Sequence, residues 1–191
     1  MKRFNNRSIL YLHGYDSSSQ GEKAQLLRKE CPENRLLIPD LPLNPQECMR
    51  LSEDMLRMAS NDTIIIGASL GGFYALYLAA KFKKDCLLIN PVLHPSAEAK
   101  KLLSLEENQE KKKVILNAAN VYLTFESTLN SLKVPENCFV ALGERDQTID
   151  PKSASEYFEH AHIQFYSDDH EMLTSFTSVL NDFEEFLDDK F

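Results

Sequence analysis

Short, uniformly apolar runs alternate along this chain with longer stretches in which apolar residues recur every three or four positions. The first run, Ile9 to Leu12, breaks at His13-Gly14, as a short buried strand entering a glycine loop would. A helical face follows in Glu22 to Glu30, where Ala24, Leu26 and Leu27 share one side. Leu36-Leu37-Ile38 reads as a second strand stopped by Pro39 and Pro42. Pro45 then opens a helix carrying Met49, Leu51, Met55, Leu56 and Met58, and proline is tolerated in a first helical turn. Thr63 to Ile66 is the clearest strand, being β-branched throughout and bounded by polar residues. Beyond it, Phe73 to Phe82 is helical in pattern, Cys86 to Ile89 is a strand ending at Asn90-Pro91, and Phe139 to Leu142 is a strand ending at Gly143. A helix over Ser153 to Phe158, a strand over Ile163 to Tyr166 and a long helix over Met172 to Leu187 complete the series.

Strands that are apolar on every position are covered on both faces. Six of them alternating with helices predict a three-layer α/β architecture around a reduced, mostly parallel sheet. One interval is too long for a single crossover helix, the stretch of about 40 residues between Pro95 and Pro135. Its first part, Ala97 to Glu110, is charged and helical in pattern, and Val114 to Leu132 mixes apolar residues with Asn117, Asn120 and Thr124. A small cap or lid insertion over 96–133 is the expectation, within a single domain spanning 1–191. Neither repeats nor low-complexity linkers divide the chain.

At 191 residues and 43% hydrophobic content the protein can bury a core without metal or disulfide support. A net charge of −8 gives no reason to expect a nucleic-acid partner. The one dense basic run, Lys111-Lys112-Lys113, follows Glu106, Glu107 and Glu110 and reads as a solvated helix face. Cys31, Cys48, Cys86 and Cys138 are widely spaced with no CxxC pair, which fits reduced, unlinked thiols. The start, Met1 to Asn6, has the charge of a signal peptide but no apolar run long enough to follow it, and no stretch has the length of a membrane span. A cytoplasmic protein without membrane insertion is expected; the pattern leaves oligomeric state open.

Active sites of open parallel sheets form outside the carboxyl ends of the strands. The residues there are His13-Gly14-Tyr15, Ser69, Asn90, Asp146 and His170. Ser69 lies in Gly67-Ala68-Ser69-Leu70-Gly71-Gly72, between the clearest strand and an apolar helix. A serine on such a sharp turn is lifted above the sheet, and its neighbours at two before and two after approach so closely that glycine fits at both Gly67 and Gly71. A phosphate-binding turn is the competing reading, but the lysine and spacing of such loops are missing. Serine needs a base to take its proton. Of five histidines, His170 follows the last strand in the polar loop Ser167-Asp168-Asp169, and it is the expected base. An acid must hold the imidazole in the right tautomer. Asp146, just after Gly143-Glu144-Arg145, is the first choice and Asp150 the alternative, while Asp168 and Asp169 suit local turn or capping duties. The oxyanion donors are expected to be the backbone N–H groups of Leu70 and Tyr15, with Gly14 allowing the loop to turn and His13 supporting it through a hydrogen bond.

Tyr11-Leu12-His13-Gly14-Tyr15 with Ser17-Ser18, Gly67 to Ala75, Asn90-Pro91, Gly143 with Asp150, and Asp168 to His170 together resemble the small bacterial esterases of the YqiA/YcfP family. The likeness runs almost end to end and is weakest over 96–132. It implies an α/β-hydrolase fold, a Ser-Asp-His arrangement placed at Ser69 and His170, and activity on short-chain acyl esters. Full-size α/β-hydrolases have eight strands, so the missing pair is expected ahead of the first strand here. No metal or organic cofactor is called for. The function expected is a serine esterase acting through an acyl-enzyme on small or medium acyl esters, with Phe73, Tyr74, Leu93 and Tyr15 forming a modest apolar pocket. An acyl-thioesterase or small amidohydrolase would use the same groups, and a hydrolase fold kept only for binding or regulation is the reading from another class.

Overall fold

The computed structural model describes Phe4 and residues 7–189; the charged start at Lys2 and Arg3, weighed above as the head of a signal peptide, lies outside the described residues. Each apolar run becomes a strand: β1 Ile9–Leu12, β2 Leu36–Leu37, β3 Ile64–Ala68, β4 Cys86–Ile89, β5 Cys138–Gly143 and β6 His162–Tyr166. They form one sheet in the order β2-β1-β3-β4-β5-β6, every pair parallel. Between them run α1 Glu22–Glu30, α2 Pro45–Met58, α3 Leu70–Phe82, α4 Pro95–Leu105, α5 Gln109–Ser131 and α6 Pro151–Tyr157, and α7 Phe176–Asp188 closes the fold. Strand order reverses between β1 and β3, the switch point at which such sheets open a crevice above their carboxyl ends.

Alternate strand residues divide the core into two layers. Leu10, Leu12, Ile65, Leu88, Val140 and Leu142 face one side, where Met49 of α2, Leu76 of α3 and Ala154 of α6 pack on them. Ile9, Tyr11, Ile66, Ile89 and Ala141 face the other, under Leu27 of α1 and Val179, Leu180 and Phe183 of α7. α3 is buried almost all round, which explains why it has no polar face. All four cysteines are buried thiols, and Cys86 and Cys138 are direct neighbours across β4 and β5.

Several boundaries differ from the pattern-based expectation for physical reasons. β2 stops at Leu37, excluding Ile38, because only two residue pairs join it to β1. α3 starts at Leu70 rather than Phe73, since the helix is entered directly from the turn at Ser69. The last helix starts at Phe176 and not at Met172. Met172 has φ 53° and is fully buried, so its apolar side chain anchors the preceding loop instead of a helical turn. The long interval holds two helices, α4 and the 23-residue α5, each entered through an N-terminal signal: Pro95 at the first turn of α4 and Asn108 accepting from Glu110 and Lys111 N–H at α5. Ser96 joins them, its N–H and hydroxyl each donating to Glu126 at 2.8 Å. Lys111 and Lys113 are exposed as expected, Lys113 pairing with Glu110.

Candidate active site

Ser69 has φ 52° and ψ −122°, a conformation that side chains rarely adopt. It is held there from three directions. Its N–H donates to Ile89 O at 2.9 Å, and its carbonyl accepts from Gly72 N at 2.9 Å and Val92 N at 3.0 Å. The two flanking glycines are required by contact. A Cβ on Gly67 would collide with the Gly71 carbonyl and Ala75, and one on Gly71 would collide with the carbonyls of Leu12 and His13 at the end of β1.

His170 and Asp146 meet this serine. His170 Nε2 lies 3.0 Å from Ser69 Oγ, and His170 Nδ1 lies 2.7 Å from Asp146 Oδ2. The Asp146 side chain is only 1% exposed, and its other oxygen accepts from Thr148 N at 2.7 Å and Ile149 N at 2.9 Å. A carboxylate oxygen only accepts, so Nδ1 donates this contact, and in the neutral imidazole Nε2 is then left to accept from the serine hydroxyl. Asp150, the alternative acid, is elsewhere: it caps α6, accepting from Lys152 N, Ser153 N and the Ser153 hydroxyl. The Ser153 hydroxyl, then the backbone N–H groups, hold its carboxyl below the usual range. Asp168 and Asp169 do local work, as expected. Asp168 accepts from Asp169 N at 2.9 Å and Ser175 N at 2.7 Å, and Asp169 accepts from Glu171 N at 3.0 Å.

The loop after β1 faces Ser69 from the other side. Leu41 N–H donates to His13 Nε2 at 3.1 Å, which leaves Nδ1 to donate to Gly14 O at 2.9 Å. Farther along, Ser19 N donates to Asp40 at 2.7 Å, and that N–H holds the Asp40 carboxyl below its usual range. Residues 40–41, leaving β2, thus pin both ends of the loop. Its left-handed residue is Asp16, φ 58°, and not Gly14. Gly14 matters through proximity, since a Cβ there would come within 3.2 Å of Ser69 Cβ. Neither Leu70 N–H nor Tyr15 N–H is bonded to an acceptor among the described residues.

A cavity of about 380 Å³ opens over Ser69 and His170, with Asp16, Glu22, Lys23 and Glu171 around it. Lys23 Nζ donates to the Glu171 carboxylate at 2.5 Å and to its carbonyl at 2.7 Å, tying α1 to the residue after His170. A second cavity, of about 140 Å³, lies beyond the Tyr15 loop and is lined by Leu41, Leu43, Leu70, Tyr74 and Tyr122 among others. The hydroxyls of Tyr74 and Tyr122 bond each other at 3.0 Å, and burial pushes the Tyr122 phenol up to about 12. Of the residues expected to form an apolar pocket, Tyr15 and Tyr74 line this cavity, whereas Phe73 turns into the core and Leu93 packs against it. Tyr122 arrives from α5, and no feature of the helix pattern marks it out from the other apolar residues there. No group of three or more His, Cys, Asp or Glu side chains is placed to hold a metal ion among the described residues, and none of their helices is long and apolar enough to cross a membrane.

Comparison with known proteins places this chain in a family. An uncharacterised protein family, UPF0227, matches residues 8–188. The chain belongs to that family. A UPF0227 protein of Pectobacterium atrosepticum is 26% identical over 164 residues, covering 79% of this chain and 84% of the relative. Another, from Shewanella loihica, is 35% identical over 94 residues, about half of either protein at 46% and 52%. The membership agrees with the resemblance drawn from the sequence motifs. Among solved structures, a metagenome-derived lipolytic enzyme superposes with TM-score 0.73 at 14% identity, over 96% of this chain and 94% of that one. A Pyrococcus furiosus esterase gives 0.68 at 17% identity, over 96% and 81%. Mouse alpha/beta hydrolase domain-containing protein 10 gives 0.65 at 16%, over 100% and 93%. At such identities the likeness speaks for the fold, which is that of the α/β-hydrolases with a six-stranded sheet.

Proposed function

We propose that this protein is a serine hydrolase that cleaves short- to medium-chain carboxylic esters through an acyl-enzyme on Ser69. The observation that carries the reading is the continuous chain Asp146 Oδ2, His170 Nδ1, His170 Nε2, Ser69 Oγ, with links of 2.7 and 3.0 Å. His170 Nε2 takes the Oγ proton as Oγ bonds to the ester carbonyl carbon. The carbonyl electrons move to the oxygen, which the N–H groups of Leu70 and Tyr15 receive. When the intermediate collapses, the bond to the alcohol breaks and the proton on Nε2 leaves with that alcohol. Water then gives its proton to the same nitrogen, attacks the acyl carbon and frees the acid, returning the proton to Ser69. Asp146 supports the imidazolium at each stage.

The two cavities divide the ester. The 140 Å³ cavity, beside both proposed oxyanion donors, suits the acyl chain. It is close in volume to a pocket of about 150 Å³ that holds one benzene ring, so chains of roughly six carbons fill it. The larger cavity suits the leaving group. Asp16, Glu22 and Glu171 outnumber Lys23 there, which favours uncharged alcohols over a polyanionic thioester carrier. We place α4 and α5 as a small cap, because Tyr122 of α5 lines the acyl cavity. The site asks for no cofactor.

A fluorophosphonate probe tests this. Wild type is expected to be labelled, Ser69→Ala not at all, and His170→Ala at a collapsed rate. A folded wild type that stays unlabelled refutes the hydrolase reading in favour of a binding role. Rates on matched oxygen esters, thioesters and amides test the substrate class, and a thioester preference above about tenfold would point to a thioesterase.

A further inference from the structure

β4 stands between β3, which leads directly into Ser69, and β5, which leads to Asp146, yet its own end supplies none of the reacting groups. What it supplies is Asn90, 1% exposed and held at φ 42°. Asparagine is one of few residues that accept this left-handed conformation. Its side chain makes three hydrogen bonds. Nδ2 donates to the carbonyls of Asp169 and His170, each at 3.0 Å, and Oδ1 accepts from Gly143 N at 2.8 Å. Its own N–H donates to Ala141 O at 3.0 Å.

These partners are the two segments that must meet for the hydrogen-bonded chain to exist. Gly143 opens the turn to the acid: Asp146 N donates back to Gly143 O at 3.1 Å. The histidine loop lies directly on Gly143, where a Cβ would come within 2.6 Å of Asp169 O and 2.9 Å of Asp168 O. Both donors and the acceptor of the Asn90 amide are engaged, and turning it over would oppose two carbonyls with a carbonyl and an N–H with an amino group. One orientation of the amide therefore fixes one spacing between the two segments. We propose that Asn90 is the positioning residue that sets His170 against Asp146 and Ser69, a role that rests on the hydrolase reading for its catalytic meaning but not for its geometry.

Asn90→Gly removes the clamp and keeps the left-handed conformation available; Asn90→Asp keeps the shape, the conformation and the acceptor for Gly143 N–H but loses the donors. Misplacement of a catalytic group by about 1 Å can cost on the order of 100-fold, so both variants are expected to lose roughly that factor in kcat and in fluorophosphonate labelling rate, with KM within about threefold of wild type. Proton NMR reads the geometry independently of turnover. The Nδ1–H of His170, held by Asp146, is expected as a downfield resonance in wild type, and it should broaden or vanish in both variants while their circular dichroism stays that of a folded protein. Folded variants that keep this resonance and label at the wild-type rate overturn the proposal. A wild type that is never labelled, but whose resonance depends on Asn90, leaves the clamp standing and removes the hydrolase reading. Should neither variant fold, the wild-type Asn90 amide protons decide the matter: slow exchange with solvent is expected, and exchange as fast as an exposed asparagine's refutes the clamp.

Discussion

Replacing Asp146 by asparagine poses the site an asymmetric problem. One oxygen of the carboxylate receives two N–H groups, from Thr148 at 2.7 Å and Ile149 at 2.9 Å; the other receives only His170 Nδ1 at 2.7 Å. An amide nitrogen on the first side would face two donors, so it must settle on the second. There it donates to Nδ1, which has to give up its proton, and the imidazole carries that proton on Nε2 instead. Nε2 lies 3.0 Å from Ser69 Oγ and can no longer accept from it. Side-chain positions change little, but the base is blocked by its own proton. A wrong tautomer of this kind costs about 10⁴ in kcat, or about 5 kcal/mol in the barrier. Asp150→Asn is the matched control, because asparagine caps a helix as well as aspartate does and α6 keeps its cap. The assay is kcat/KM on a butyrate ester together with the rate of fluorophosphonate labelling. Asp146→Asn is expected to fall by three to four orders of magnitude (about 10³ to 10⁴) and Asp150→Asn by less than about twofold. If Asp146→Asn keeps activity within tenfold of wild type, or Asp150→Asn falls as far, the tautomer argument is wrong.

Acyl length offers a second test. Activity on an ester series should climb to about six carbons and then drop, and Leu43→Trp, at the exposed rim of the 140 Å³ cavity, should depress hexanoate at least tenfold more than acetate. An unchanged profile in that variant would move the acyl chain to another cavity. Asp168 carries a pH prediction. Desolvation works to raise its carboxyl pKa, but the N–H groups of Asp169 and Ser175, the Ser175 hydroxyl and the Arg145 charge together outweigh it and hold the value below the usual range. A depressed folded pKa means that the stabilisation is full above the unfolded value of about 3.9 and is lost as pH falls through the folded one. Asp168→Asn should therefore cost about 2 kcal/mol near neutrality, roughly 4 to 8 °C in Tm, and should flatten the decline of Tm with acid below about pH 4. Equal acid sensitivity in wild type and variant would refute the assignment.

Much of the fold was readable because β1, β3, β4 and β5 are buried on both faces and so lack polar positions that could confuse their extent. β2 and β6 lie at the sheet edges, and their less uniform burial weakens the same signal. Helix starts were harder where the backbone departs from ordinary conformations. At Ser69 the glycines that serve the turn hide the onset of α3, and at Met172 an apolar residue buried in a left-handed turn imitates a helical position. For the site, Ser69 and His170 were marked by their local surroundings. The choice between Asp146 and Asp150 had a clue in the chain itself, since aspartate before Pro151 is the pairing of a cap with a first helical turn. Asn90 was visible as a strand-end residue, but its partners lie 53 and 79 to 80 positions away. Leu41 beneath His13 and Tyr122 beside Tyr74 are likewise products of tertiary packing, with no periodicity to announce them.

The sealed position of the four cysteines has a practical consequence for chemical modification. Each is at most 4% exposed, burial pushes the Cys48 thiol up to about 11, and the hydrogen bond with Cys138, then burial, hold the Cys86 thiol well above its usual range. Reactivity belongs to the thiolate and requires access, so alkylating agents and mild oxidants find little to attack while the fold is intact. If Ser69 is the nucleophile proposed above, rapid inactivation by an electrophile then reports on the crevice above the sheet. Slow inactivation that accelerates with denaturant reports instead on opening of the core, and the same reagent can tell the two events apart by rate alone.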